Sequence, residues 1–326
     1  MIELPTVGVA LCTYNGARFL EVQLTSILDQ SAPVDAIVIA DDASRDDSVA
    51  IARRIAAVAP TPFVVLEGSQ PLGVTANFER AVAAVDQDLI ALSDQDDRWH
   101  PGRIESLRKR FSDDSELILI HTDADLVDAD GDPLGRTLFE SLEVRPHEFA
   151  EEEEGRAFEA FLRRNLATGA TVVFRRSLLA AARPFPAEWV HDEWLSVIAA
   201  ALGRVDVVRE ATIDYRQHGS NEIGVAAPTI GRKVARVLEP RGDRNRTLAR
   251  RFAVLVERLD QLGDRVPADY LALARAKAGF EYRRAAFAKG RLRRFPSVLR
   301  LAATGDYRRY ASRGQADILR DLIQPD

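Results

Sequence analysis

The chain has 326 residues, 46% hydrophobic and 29% charged, an ordinary globular composition at about twice the ~150 residues of one domain. Its one cysteine, Cys12, excludes a disulfide framework and a thiolate metal site, no stretch approaches the ~18 uncharged apolar residues of a membrane span, and the first residues lack a signal peptide's basic flank and apolar core, so a cytoplasmic location is expected. The net charge of −6 conceals an asymmetry: residues 229–326 carry 23 Lys and Arg against 11 Asp and Glu, and residues 1–228 carry 21 against 39.

Short β-branched runs alternate with helical patterns along the first ~120 residues. Thr6 to Cys12, Ala36 to Ala40, Phe63 to Leu66, Leu89 to Leu92 and Leu117 to Ile120 read as buried strands. Between them, Leu20, Leu24, Ile27 and Leu28 share a helix face, and Ser44 with Asp46 and Asp47 reads as the capped start of a helix through Val49 to Val58. Pro101 stands where a first helical turn tolerates it, ahead of Ile104, Leu107 and Phe111. This βαβ rhythm predicts an α/β fold, a mainly parallel sheet flanked by helices. Glu148 to Glu154 reads as a solvated loop or helix start, and Thr212 to Tyr215 as a further strand. Past residue 228, Arg- and Ala-rich patterns broken at Gly263, Pro267, Gly290, Pro296, Gly305 and Gly314 predict a C-terminal helical subdomain.

In such sheets ligands bind beyond the carboxyl ends of the strands. Those positions hold Thr13-Tyr14-Asn15-Gly16, Asp41-Asp42-Ala43-Ser44, Ser93-Asp94-Gln95-Asp96-Asp97 and His121-Thr122-Asp123. Converging carboxylates repel one another, so the arrangement makes sense if a cation or hydrogen-bond donors arrive with the ligand. Mg²⁺ or Mn²⁺ with a diphosphate meets that need, and Asp94-x-Asp96 fits it. An Asp-rich turn also caps helices, but its place after a buried strand favours the site. Neither Gly-x-Gly-x-x-Gly after the first strand nor Gly-x-x-x-x-Gly-Lys-Ser/Thr is present, and Gly-x-Ser-x-Gly is missing too. Dinucleotide dehydrogenases, P-loop nucleotidases and common sheet-type serine hydrolases are thereby disfavoured.

The ordered series formed by these runs, Gly73 with Asn77, Trp99, Thr168-Gly169-Ala170-Thr171, His191-Asp192-Glu193-Trp194 and Tyr215-Arg216-Gln217-His218-Gly219-Ser220-Asn221 resembles glycosyltransferase family 2, within it the bacterial rhamnosyltransferase-like branch. The resemblance spans residues 5 to 224 and implies a GT-A fold and inverting sugar transfer from a nucleotide diphosphate, with residues 1–228 as the catalytic domain and 229–326 as the basic helical subdomain. It implies Tyr14 against the nucleobase, Asp42 accepting from a pyrimidine N–H, Asp94 at the ribose, and Thr13, Asn15 and Asn77 in the nucleotide site. Asp96 and His218 become the metal residues. Asp192 is the expected general base, with Glu193 as the alternative. Asp97, Trp99 and Trp194 are candidates for sugar or acceptor contact, Trp99 equally for packing under its loop.

Arg291-Leu292-Arg293-Arg294-Phe295 and Tyr307-Arg308-Arg309-Tyr310 mix cations with apolar and aromatic residues, which suits an anionic membrane surface near a lipid-linked acceptor. A subdomain that packs on its own body or forms a homodimer is the competing expectation; nucleic acid is not expected, since no binding motif accompanies the charge. Two rival functions remain beside glycosyl transfer: a sugar nucleotidyltransferase, which lacks its Gly-rich basic opening loop here, and a catalytically silent saccharide-binding protein.

Overall fold

Val7–Thr13 is buried at all seven positions, as a strand covered on both faces must be. In the computed structural model, which describes residues 4–218 and 240–325, it forms β1. The other strands are β2 (Ala36–Asp41), β3 (Phe63–Glu67), β4 (Leu89–Ser93), β5 (Arg98–Trp99), β6 (Leu117–Val127), β7 (Pro133–Thr137), β8 (Val173–Arg175) and β9 (Arg204–Arg216). The helices accompanying them are α1 (Leu20–Leu28), α2 (Ser48–Ala56), α3 (Val74–Ala83), α4 (Arg103–Asp113), α5 (Leu138–Ser141), α6 (Pro146–Glu153), α7 (Ala157–Arg163), α8 (Leu179–Ala182) and α9 (His191–Leu202). The sheet runs β3-β2-β1-β4-β8-β6-β9-β5, with β7 on β6. Strands β3, β2, β1 and β4 are parallel, β8 enters antiparallel between β4 and β6, and β9 is parallel to β6.

Three local expectations are corrected. β6 continues to Val127, paired along its length with β9, so His121, Thr122 and Asp123 lie buried within the strand instead of in a loop after it. Glu148 to Glu154 is not simply solvated: Glu152 on α6 lies 2.6 Å from His121 Nε2 with neither side chain exposed, the partner that a buried carboxylate requires. Ser44 does not cap α2, whose first N–H, that of Ser48, donates to Asp46 Oδ1 (3.0 Å).

The chain divides into two units, Met1–Ala157 with Leu166–Ala226, and Phe158–Asn165 with Ala227–Asp326. The boundary expected at 228/229 and the motif residues Gly219, Ser220 and Asn221 lie outside the described residues. The second unit contains α7 from Phe158 onward, with α10 (Arg244–Leu262), α11 (Ala268–Ala285), α12 (Arg291–Ala303), α13 (Asp306–Tyr310) and α14 (Gln315–Ile323). Gly290, Gly305 and Gly314, each at positive φ, precede the last three of these, which explains why those glycines punctuate the pattern. Phe280, Phe287, Val298, Leu301, Tyr307 and Tyr310 form its core. Tyr307 and Tyr310, expected at a membrane surface, are therefore inside. Among the described residues no helix is long and apolar enough to cross a membrane.

A buried ionic network ties this core together. Arg284 grips Asp321 through two bonds (2.7 and 3.0 Å) and donates to Glu281 (3.0 Å), while Tyr307 donates to Asp321 (2.6 Å). Lys277 donates to Glu281 (2.7 Å) and to the Tyr310 carbonyl (2.6 Å). Removing one member of such a network strands its partners in low dielectric, so Arg284→Met should destabilise this unit by about 3–5 kcal/mol. Urea denaturation checks it, and an unchanged midpoint would show that the network carries no weight.

Candidate active site

The parallel register sets Thr13 beside Asp41 and Leu11 beside Ser93, so the chain leaves β1, β2 and β4 at one edge of the sheet. Gln95 fastens the first of these loops: its Oε1 accepts from Thr13 Oγ1 (2.7 Å) and Tyr14 N (2.8 Å), and its Nε2 donates to the Tyr14 carbonyl (3.3 Å). Gly16 lies beneath it, where a Cβ would crowd Gln95 Oε1 and displace the side chain that fastens the loop. Asn15, at φ 50°, joins the loops after β1 and β2: its N–H donates to Ser44 Oγ (2.8 Å) and its Oδ1 accepts from Arg45 N (2.9 Å). Ser44 is consumed by this junction. Asp42 accepts from Leu72 N (2.7 Å) and Gly73 N (2.9 Å), and Asn77 Nδ2 donates to the Ala40 carbonyl (2.8 Å).

These loops surround a cavity of about 480 Å³ that Thr13, Tyr14, Asp42, Asn77, Asp94, Asp96 and Asp192 all line. Tyr14 is half exposed at its rim. Asn15 is not on its wall.

Asp96 Oδ2 lies 2.7 Å from His218 Nε2, and the imidazole stacks on Phe19 at 4.8 Å. Burial pushes the Asp96 carboxyl above its usual value despite the opposing effect of His218. Asp97 is raised further by burial, then by the charges of Asp96 and Asp94; its Oδ1 accepts from Arg216 N (3.0 Å) and it does not line the cavity. Asp94 and Asp96 on the cavity wall and the His218 imidazole beside Asp96 are the oxygen and nitrogen donor types that Mg²⁺ or Mn²⁺ accepts.

The motif at residues 191–194 forms the first turn of α9. Asp192 accepts from Gly169 N (2.9 Å) and Glu193 N (2.7 Å). Burial and then the Glu193 charge outweigh those bonds and raise its carboxyl to about 7. Glu193 is absent from the cavity wall. Trp194 is fully buried and donates to the Ala182 carbonyl (2.7 Å), and Trp99 is 3% exposed in the main core. Both indoles lie in the packing of the first unit instead of on the cavity wall.

Sequence reasoning missed Gln95, His191, Tyr215 and Arg216 as contributors, although all four stand inside the motifs that point here. The buried Tyr215 lines the cavity, its hydroxyl raised by burial and by Asp94, Asp97, Asp96 and Asp192. Among the described residues, the group whose possible metal-binding atoms all lie within 4.8 Å of one another is a different one, His100, Asp125 and Asp214. There both His100 nitrogens face oxygens, Ala211 O at 3.2 Å and Asp214 Oδ1 at 2.8 Å, and Arg98 donates to Asp214 (2.7 Å). Hydrogen bonding to Asp214 raises the imidazole's pKa, so the group is satisfied as an ion-pair cluster. It lies off the cavity wall.

Comparison with known proteins matches residues 8–181 to the family Glycosyl transferase family 2. An uncharacterized glycosyltransferase of Nostoc sp. is 24% identical over 71% of this chain and 70% of its own length. The dTDP-rhamnosyl transferase RfbG of Shigella flexneri is 34% identical over 29% of this chain and 35% of its own. Among solved structures, a mannosyltransferase from Pyrobaculum calidifontis in complex with GDP-Man and Mn²⁺ superposes with a TM-score of 0.52 at 20% identity, covering 98% of this chain and 86% of that one. The fold is thus the expected GT-A type, a mixed and mostly parallel sheet flanked by helices.

The electrostatics of Asp192 are open to direct test. Carboxyl ¹³C titration should find one aspartate near pH 7, and Glu193→Gln should move it downward by removing a neighbouring negative charge. An Asp192 signal in the ordinary carboxylate range would remove the basis for a poised base.

Proposed function

Because this chain belongs to glycosyl transferase family 2 and is a glycosyltransferase, we propose that it moves a sugar, rhamnose first among those to test, from a UDP- or dTDP-sugar to a saccharide or lipid-linked acceptor. Transfer proceeds with inversion, in cell-envelope polysaccharide synthesis at the cytoplasmic face of the membrane. Residues 1–228 are the catalytic domain in this reading and 229–326 a basic helical companion. The observation that carries it is Asp192, a carboxylate poised near neutrality on the wall of the cavity that Asp94 and Asp96 also line. The likeness to a dTDP-rhamnosyl transferase supports the choice of donor.

One base suffices for direct displacement. The acceptor hydroxyl gives its proton to Asp192 as its oxygen bonds the anomeric carbon, and the bond to the diphosphate oxygen breaks with its electron pair, releasing the nucleoside diphosphate. Asp96 and His218, with Asp94 beside them, would hold Mg²⁺ or Mn²⁺, which when bound neutralises charge on the diphosphate. Tyr14 offers the base a flat exposed face, and Asp42, itself anchored by two backbone N–H groups, retains acceptor capacity toward a pyrimidine N–H.

Two measurements follow. By calorimetry, UDP or dTDP should bind with Mn²⁺ or Mg²⁺ present, and Asp96→Ala should lose the metal-dependent part; equal metal-independent binding by both proteins would remove Asp96 from the site. In transfer assays Asp192→Asn should lower kcat by roughly 10²-fold or more with donor affinity nearly unchanged. Since the raised carboxyl is protonated below its pKa, parent kcat/KM should fall as pH drops through about 7. Full turnover in Asp192→Asn, with loss in Glu193→Gln, would transfer the role to Glu193.

A further inference from the structure

Helix α12 presents two apolar faces. Val298, Leu301 and Arg294 are buried, whereas Leu292, Phe295 and Leu299 are 91%, 49% and 45% exposed. At 100° per residue these three fall within about 60° of one another, opposite Leu301. Arg293 and Arg300 flank the exposed stripe on one side and Arg291 on the other, with exposed Lys289 just before the helix. None of these four cations has an ion-pair partner among the described residues, and α12 contains no acidic residue. Three arginines in the first turn oppose the helix dipole, and a nearly naked leucine gains nothing in water. Neither feature stabilises this helix.

We propose that this outer face of α12 docks the protein on an anionic lipid bilayer, with Leu292, Phe295 and Leu299 entering the headgroup and acyl boundary and Arg291, Arg293 and Arg300 meeting lipid phosphates. Charge complementarity selects this occupant. A second copy would set the same arginines against one another, because a twofold contact pairs a patch with itself. A nucleic-acid backbone would meet an apolar strip at the centre of the face. No residue of α12 lines the cavity, so the inference stands independently of the proposed transfer reaction.

The test uses the full chain and vesicle co-sedimentation. The parent should pellet with phosphatidylglycerol-rich vesicles at low salt and not with phosphatidylcholine vesicles. Each cation near an anionic surface contributes about 5-fold to partitioning, so the variant R291E/R293E/R300E should lose on the order of 10²-fold or more. L292S/F295S/L299S, altered only at exposed positions, should keep its circular dichroism and bind more weakly, most clearly at high salt, where screening leaves the apolar contribution. F295W should show blue-shifted emission on adding the anionic vesicles. A parent that stays in the supernatant, or both triple variants binding as the parent does, overturns the proposal; so does a parent dimer that L292S/F295S/L299S converts to monomer without any vesicle binding.

Discussion

Arg216 is the interaction on which the acidic edge depends. Its backbone N–H holds Asp97 and its Nε donates to the Asp96 carbonyl (2.8 Å). One guanidinium nitrogen reaches the carbonyls of Asp128 (3.2 Å) and Ala129 (3.1 Å), and the guanidinium lies 5.1 Å from the Phe19 ring. It ties the loop after β4 to the end of β9 and to the turn after β6. Its charge lowers Asp96 and Asp97, but burial is the larger effect and both remain raised. The loop is held together while Asp96 and Asp97 stay raised, a condition that a nearby cation would relieve. Two residues on, His218 reaches Asp96 from the same strand end, so β9 supplies both the clamp and the candidate metal residue.

Much of this edge was legible because parallel strands announce themselves. Unbroken apolar runs located β1, β2, β3 and β4, and their polar successors gave the cavity wall. Period and spacing could not reveal how those successors divide their labour. Asn15 and Ser44 fasten one loop to another, and Asp42 secures the chain at Leu72 and Gly73, since each short polar side chain finds a backbone group before any ligand arrives. Trp99 and Trp194 stood in polar motifs, yet the area an indole buries outweighs that context. His121 illustrates the opposite failure: β6 extends past its β-branched start because Glu152, thirty-one residues away, supplies the partner that lets an imidazole sit inside a sheet.

Charge in the second unit needed the same distinction. The cation count of residues 229–326 suggests one basic surface, but Lys277, Arg284 and Arg294 are nearly fully buried and Arg320 largely so. Arg284 is neutralised by Asp321 and Glu281, and Arg294 donates to the Gln324 carbonyl. Among the cations that reach solvent, Arg291, Arg293 and Arg300 share a helix, α12, that carries no acidic residue. A helical pattern alone cannot say which of its two faces is inside when both are apolar; the buried partners of Val298 and Leu301 decide it.

His191 and Asp192 are neighbours in the first turn of α9 and are solvated in opposite ways. Asp192 receives two backbone N–H bonds that favour the ionised form, against burial and the Glu193 charge that disfavour it, and settles near 7. The His191 ring stacks on Phe78 at 3.8 Å, and neither of its nitrogens has a hydrogen bond among the described residues. Burial alone lowers it to about 3, so it is neutral wherever Asp192 titrates. That neutrality matters for the neighbour. An imidazolium beside Asp192 would draw the carboxyl back toward its ordinary value, and a carboxylate of that pKa accepts a hydroxyl proton poorly. Gly169 fixes the arrangement from the other side: it donates to Asp192, and a Cβ on it would stand 2.9 Å from His191 Nε2. A side chain there would press on the imidazole and disturb Asp192 through the same backbone, so the glycine, the histidine without hydrogen bonds and the raised aspartate depend on one another.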